Sequence, residues 1–166
     1  MDAYRVLDKV PICLVLDNIR SGLNVGSIFR TADAFALQSI HLCGITARPP
    51  QREILKTAIG ATDSVSWDYH PEVSDCIEGL ISNGYHIIGV EQTDMSTSLR
   101  SFHFHGQSPV ALVFGNEVGG LSESILPYLD DCVEVPQYGT KHSLNVAVCA
   151  GIVIWHLFPM INLGRI

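Results

Sequence analysis

Three polar, glycine-bearing segments interrupt an otherwise apolar chain: NIRSGLNVGSIFR (18–30), FGNEVGGLS (114–122) and VPQYGTKHSLN (135–145). Each follows a short apolar run that reads as a strand, and in open α/β sheets ligands sit beyond the carboxyl ends of strands. The glycines at 115, 119, 120 and 139 suit tight turns or a close approach of backbone to a flat ligand. None of the three is a phosphate loop. Neither GxGxxG nor GxxxxGK followed by Ser or Thr occurs, which speaks against a nucleoside triphosphate or a Rossmann-bound dinucleotide. A hydrolase would pair His142 with a serine, but no GxSxG nucleophile elbow exists, so Lys141 and His142 read as loop residues. The histidines show no metal-ligand spacing, with His103 and His105 flanked by phenylalanine, and no CxxC occurs, so no metal site is expected.

The elements that must position these segments follow from periodicity. The last segment opens as a strand over 133–135 and is stopped by Pro136, which cannot donate to a strand ladder. A polar turn over 137–142 leads into a helix over 144–158 that is apolar almost all round, as helices buried on several sides are. Taken alone, that stretch fits a ligand-binding turn and a plain solvated loop equally well. Upstream, strands are predicted over 12–16, 39–43, 65–67, 86–90 and 110–114. Helices are predicted from Asn24 as N-cap through 25–36, over 53–59 up to Gly60, and over 72–83, closed by Asn83-Gly84. A short helix begins at Ser122-Glu123 and is limited by Pro127, while EQTDMSTS (91–98) is a polar loop. Strands alternating with helices predict a parallel, doubly wound α/β sheet in a single domain spanning 1–166.

Composition narrows the class. At 166 residues, 47% hydrophobic and 16% charged, the chain is a compact globular protein and not a disordered one. No secretory leader and no uninterrupted apolar run of about 18 residues is present, so no membrane role is expected. Five widely spaced cysteines read as reduced thiols in a cytoplasmic setting. The net charge of −7 argues mildly against a nucleic-acid partner. Against that, four of the ten basic residues fall at Arg30, Arg48, Arg52 and Lys56, and the last three are spaced to stack on one helical face. By itself such a stripe is an ordinary solvated surface.

Together the three segments resemble the signature motifs of the SpoU/TrmH family of RNA ribose 2′-O-methyltransferases, within the SPOUT superfamily. Asn24-x-Gly26-xxx-Arg30 matches the first motif. Phe114-Gly115-Asn116-Glu117 with Gly119-Gly120-Leu121-Ser122 matches the second. Val135-Pro136, with Ser143-Leu144-Asn145-Val146-Ala147, matches the third. The likeness covers nearly the whole chain, including KTAIGATDSV and EQTDMSTSL. Two departures stand out: Gln137 replaces the methionine after the proline, and the chain lacks the added RNA-binding domain of many relatives.

The resemblance implies an α/β knot, in which the C-terminal segment threads through a loop, against the general rule that chains do not knot. It implies S-adenosylmethionine as cofactor and a homodimer whose last helix packs at the subunit interface. Methyl transfer to a ribose hydroxyl needs the oxygen about 3–3.5 Å from the methyl, in line, with water excluded. The family implicates Arg30 in activating that hydroxyl. An arginine is almost always protonated, so orienting the hydroxyl or phosphate and stabilising a developing alkoxide is physically easier than acting as base. Gly115, Val135, Pro136 and Leu144 are expected around the adenine and ribose, with Gln92, Thr93 and Gln137 as further cofactor neighbours. Glu117 is either a hydrogen-bond anchor for the knot, the favoured role, or an active-site carboxylate. Ser143 is expected to cap the last helix first and to contact cofactor second. Asn145, placed one turn inside that helix, is a catalytic or ligand-orienting amide. Asn24, Arg20, Arg48, Arg52 and Lys56 become candidates for RNA contact, with tRNA placed ahead of ribosomal RNA because the small members modify tRNA. The competing expectation is a knotted dimer that holds cofactor or RNA without transferring methyl groups.

Overall fold

The computed structural model describes residues 8–141 and 143–161; His142 lies outside the described residues. Its strands are β1 (Val10–Asp17), β2 (Leu37–Cys43), β3 (Ser66–His70), β4 (His86–Val90), β5 (Thr97–Ser98), β6 (Val110–Gly115) and β7 (Asp131–Glu134). Its α-helices are α1 (Gly22–Ala34), α2 (Arg52–Ala58), α3 (Ala61–Ser64), α4 (Val73–Ser82) and α5 (Val146–Ile161), with a 3-10 turn over Glu123–Tyr128. All seven strands join one sheet in the order β3-β2-β1-β6-β4-β7-β5, and every ladder is parallel. The alternation of strand and helix predicts this architecture, because parallel neighbours require crossovers between them.

Strand alternation sorts the core into two layers. On β1, Ile12, Leu14 and Leu16 face the layer built with α1, α2, α3 and α5, including Phe29, Ile54, Val153 and Leu157. Cys13 and Val15 face the opposite layer, which α4 covers with Val73, Cys76, Ile77 and Leu80. Val73, Cys76, Ile77 and Leu80 of the α4 stripe are thus its buried face, while Ile81, which the period also includes, is exposed. Gly84 beyond the helix takes φ 80°.

Several features differ from the periodicity reading. α3 is not marked by it, and β5, at the end of the stretch read as a polar loop, pairs with β7, while several boundaries shift. The first helix is capped by Ser21, whose side chain accepts from the Asn24 amide, so Asn24 lies inside the first turn rather than at the cap. The apolar stripe begins at Val25, but Gly22 and Leu23 complete a turn that the stripe does not mark. The last helix starts at Val146 and runs through Pro159 to Ile161. Nor is it covered all round: Val148, Ile152 and Trp155, spaced along one face, are exposed, Trp155 by 71%. The expected stacking of Arg48 with Arg52 and Lys56 does not occur. α2 begins only at Arg52, after the cis Pro49–Pro50 bond, and the Arg48 guanidinium lies 3.9 Å over the Tyr69 ring instead.

Gly26 has a packing reason that its motif conceals. A Cβ there would collide with Thr57 Oγ1 and the Ile54 carbonyl, so α1 and α2 approach along a bare backbone.

Candidate active site

A cavity of about 370 Å³ opens at the carboxyl ends of β4, β6 and β7. Its wall takes Val90, Glu91 and Gln92 from the end of β4, residues 114–118 and Gly120 from the second motif, and residues from 134 to 149 of the third. Gln92, Gly115, Glu117, Val135, Gln137, Ser143 and Leu144, all expected at the site, line it. Thr93 and Pro136 are not among its described lining residues. Thr93 is held in a turn, its amide donating to Ser96 Oγ and its hydroxyl accepting from the Met95 amide.

The second motif closes on itself. Asn116 Oδ1 accepts from the amides of Val118 at 3.0 Å and Gly119 at 2.7 Å, and the Gly120 amide returns to the Asn116 carbonyl. A Cβ on Gly115 would strike the backbone of Gly120 and Leu121, so that glycine is required by the loop itself. Two carboxylates anchor the loop from strand ends. Glu91 Oε2 accepts from the Leu121 amide at 3.1 Å, and Asp17, fully buried, accepts from the Ser122 amide at 2.7 Å and the Ser122 hydroxyl at 2.9 Å. Neither carboxylate is singled out by the motif pattern. Their common signal is an acid at or just beyond the carboxyl end of a strand, Asp17 closing β1 and Glu91 following β4.

One chain of side chains joins all three motifs. Asn24 Nδ2 donates to Glu117 Oε1 at 2.9 Å, and Asn145 Nδ2 donates to Asn24 Oδ1 at 3.0 Å. Asn145 Oδ1 in turn accepts from the amides of Ala147 and Val148. That is the pattern of a helix N-cap, so Asn145 and not Ser143 caps α5. Asn145 is also exposed rather than one turn inside the helix, because the polar turn extends three residues further than the apolar run suggests. Asn24, expected to contact RNA, has both ends of its amide committed to this network.

The basic residues divide. Arg20 shares a groove with Asn18, Asn116 and Glu117, on the outer side of the second-motif loop. Arg30 does not line the 370 Å³ cavity. It lies six residues beyond Asn24, about 9 Å further along α1, in a separate groove with Lys56, Thr57 and Phe35. Arg52 and Lys56 flank Leu23 and Leu55 in a further shallow groove.

Electrostatically the cavity is acidic, with Glu91, Glu117 and Glu134 on its wall. Apolar Val90, Phe114, Val135 and Leu144 supply a surface for a flat ring beside them. Cys149, at the back, has its thiol pushed up to about 11, first by burial and then by the Glu91 charge. It is a neutral wall residue and not a nucleophile at neutral pH. A ligand with an apolar aromatic part and positive charges fits this set. S-adenosylmethionine, with adenine, a sulfonium and an ammonium, is of that kind.

Comparison with known proteins agrees with the motifs. Residues 11–155 match the model of the SpoU rRNA Methylase family. The chain is 31% identical over 153 residues to the 23S rRNA (guanosine-2′-O-)-methyltransferase RlmB of Neisseria meningitidis, covering 92% of this chain and 60% of that one. It is 26% identical over 144 residues to the tRNA (guanosine(18)-2′-O)-methyltransferase of Thermus thermophilus, covering 87% and 72%. The AdoMet-bound rRNA methyltransferase of Sinorhizobium meliloti superposes with a TM-score of 0.82 at 26% identity, covering 92% of this chain and 58% of that one. The chain thus spans about three fifths of the length of the curated relatives that it matches first. With two motifs lining one cleft, the first tied to it through Asn24, and a family match running from β1 into α5, the chain belongs to the SpoU rRNA methylase family.

Proposed function

We propose that this chain transfers a methyl group from S-adenosylmethionine to a ribose 2′-hydroxyl of RNA, with tRNA ahead of ribosomal RNA as substrate. The observation that carries the reading is the Asn145–Asn24–Glu117 network, which joins the three family motifs at the rim of an acidic cleft of ligand size. When bound, S-adenosylmethionine supplies an electrophilic methyl on a positively charged sulfur. The chain's part is to hold and orient. Gly115, Val135 and Leu144 bound the ring pocket, Gln92, Gln137 and Ser143 offer polar contacts at its edge, and Glu117 fixes the cleft wall through Asn24. The knot belongs to this reading. Its support is that residues 134–146 lie against both 91–92 and 114–120 around a single cavity.

A homodimer completes the site in this reading. The exposed face of α5 carries Val148, Ile152 and Trp155, and Phe35 at the end of α1 packs edge-on against Trp155 and Phe158. The Arg30 groove therefore adjoins one end of α5, while Asn145 and the cleft lie at the other. Antiparallel packing of two α5 helices sets the arginine of one subunit beside the cleft of the next. There its fixed positive charge orients the ribose or phosphate and stabilises developing negative charge on the attacking oxygen. Arg20, Arg52 and Lys56, all exposed, are the phosphate contacts of the reading, and a cytoplasmic setting is consistent with five free thiols. Arg48 is a weaker candidate, since Tyr69 already holds its guanidinium. No described helix is long and apolar enough to cross a membrane.

The test is transfer of labelled methyl to unmodified tRNA and to ribosomal RNA, with nuclease mapping of the product to the ribose. Label on the ribose that disappears in Arg30→Ala, while calorimetric S-adenosylmethionine binding persists, supports the assignment. Full transfer by that variant removes Arg30 from its role, and cofactor binding with no transfer to either RNA leaves the non-catalytic binding dimer.

A further inference from the structure

Away from the cleft, the sheet face beneath α4 gathers metal-binding side chains from three elements. β2 and β3 pair with His41 opposite Asp68 and Cys43 opposite His70. Alternation therefore turns all four side chains to the same face. α4 covers that face and brings Cys76 into the same cluster as Cys43. A ring nitrogen of His41, a ring nitrogen of His70 and the Cys76 sulfur all lie within 4.8 Å of one another. Asp68 Oδ1 touches both rings, 2.6 Å from His41 Nδ1 and 3.1 Å from His70 Nε2. A carboxylate bonded to two imidazoles in this way holds ring tautomer and orientation. The other nitrogen of His41, Nε2, lies 3.2 Å from Ser39 Oγ, a contact that ligation through it replaces.

We propose that His41, His70 and Cys76, whose donor atoms converge, bind a zinc ion that ties β3 and α4 to β2. The buried Cys43, packed in the same cluster but outside that convergence, completes the set by rotating its thiol inward. Two imidazoles and thiolate sulfur form the borderline-soft set that zinc favours, whereas magnesium and calcium require oxygen ligands. Zinc bonds of about 2.0–2.3 Å give tetrahedral ligand–ligand edges of roughly 3.3–3.8 Å. The three donors need to draw together by about 1 Å, which side-chain rotation supplies without moving the strands. Both cysteines are buried, while the two rings are only partly covered and leave an approach from solvent. On binding, each ligating thiol releases its proton to water and coordinates as thiolate. The structural need is at β3, which ends the sheet and pairs with β2 alone. β2 and β3 lie on the other side of β1 from β4 and β7, so the ion takes no part in the cleft.

The test uses untagged full-length protein purified without chelator, exposed to zinc sulfate alone, desalted and measured by elemental mass spectrometry. The expected result is about one zinc per chain, retained by wild type and lost in both Cys76→Ser and His70→Ala, with unchanged far-UV circular dichroism. Cobalt(II) alone, added to metal-free wild type, should give thiolate-to-metal charge transfer and the intense visible bands of a tetrahedral site. This arm holds even if a variant fails to fold. Removing the metal should lower Tm by several degrees. Wild type that retains no stoichiometric zinc and gives no cobalt spectrum overturns the proposal. So does zinc retained in full by Cys76→Ser, or a Cys43–Cys76 disulfide found by peptide mass mapping of the protein as isolated.

Discussion

Asn145 donates from Nδ2 to Asn24 Oδ1 at 3.0 Å across 121 positions of sequence, while its own Oδ1 caps α5. One amide therefore does two jobs that substitutions can separate. Asn145→Asp keeps an oxygen acceptor at the helix N-terminus but loses the donor to Asn24. Asn145→Ala loses both, and its cap loss should cost about 1 kcal/mol. Urea unfolding should find the aspartate variant near wild type and the alanine variant weakened, with methyl transfer impaired in both. Normal transfer by the aspartate variant would detach the Asn24 link from function.

Asp17 is a buried carboxylate whose oxygens receive the Ser122 amide, the Ser122 hydroxyl and the Asn18 amide side chain. Asp17→Ala leaves these donors unpaired, and with a charged acceptor lost the expected cost is about 2–3 kcal/mol. Ser122→Ala removes only the hydroxyl and should cost about 1 kcal/mol. Equal losses in chemical denaturation would show that the backbone bond at Ser122 is not held by Asp17.

Gly26→Ala drives a methyl into Thr57 and the Ile54 carbonyl. The backbone partner cannot rotate away, so α1 and α2 must separate, at a cost of about 1–3 kcal/mol. Pairing it with Thr57→Ser, which keeps the hydroxyl, should recover little, since the carbonyl clash remains. Thermal melts that show the alanine variant at wild-type stability would contradict the packing.

Cys149 should react slowly with iodoacetamide at pH 8. Its raised pKa keeps the thiol neutral below about 11, leaving about one thiolate in a thousand at pH 8. Peptide-resolved alkylation should therefore accelerate steadily from pH 8 to pH 10 rather than level off near the usual cysteine value of 9.0. Because Cys149 lines the cleft, S-adenosylmethionine should slow its alkylation. A plateau near pH 9 would place the thiol in contact with solvent.

The residue pattern alone determined the order of the main strands and helices, though not α3 or the short β5. It also determined their parallel arrangement and the two segments that line the cleft together with the first, which reaches it through Asn24. These are local properties: apolar period, glycine, proline and polar runs are written along the chain. The family resemblance named Gln92, Gly115, Val135 and Leu144 as cofactor neighbours, and all four line one cavity, whereas Thr93 and Pro136, named with them, do not.

Tertiary structure decided what depends on neighbours far apart in sequence. Asn145, not Ser143, caps α5 because the polar turn runs on to 145, which no apolar period records. Arg48 leaves its expected stripe because Pro49–Pro50 breaks the chain before α2 and Tyr69 of β3 offers a ring. Arg30 faces a groove apart from the cleft because α1 carries it a turn and a half beyond Asn24. His41, His70 and Cys76 meet only through the register of β2 with β3 and the seating of α4. Spacing along a chain cannot express a relation made by three separate elements, so ligand counting by sequence interval passes over it.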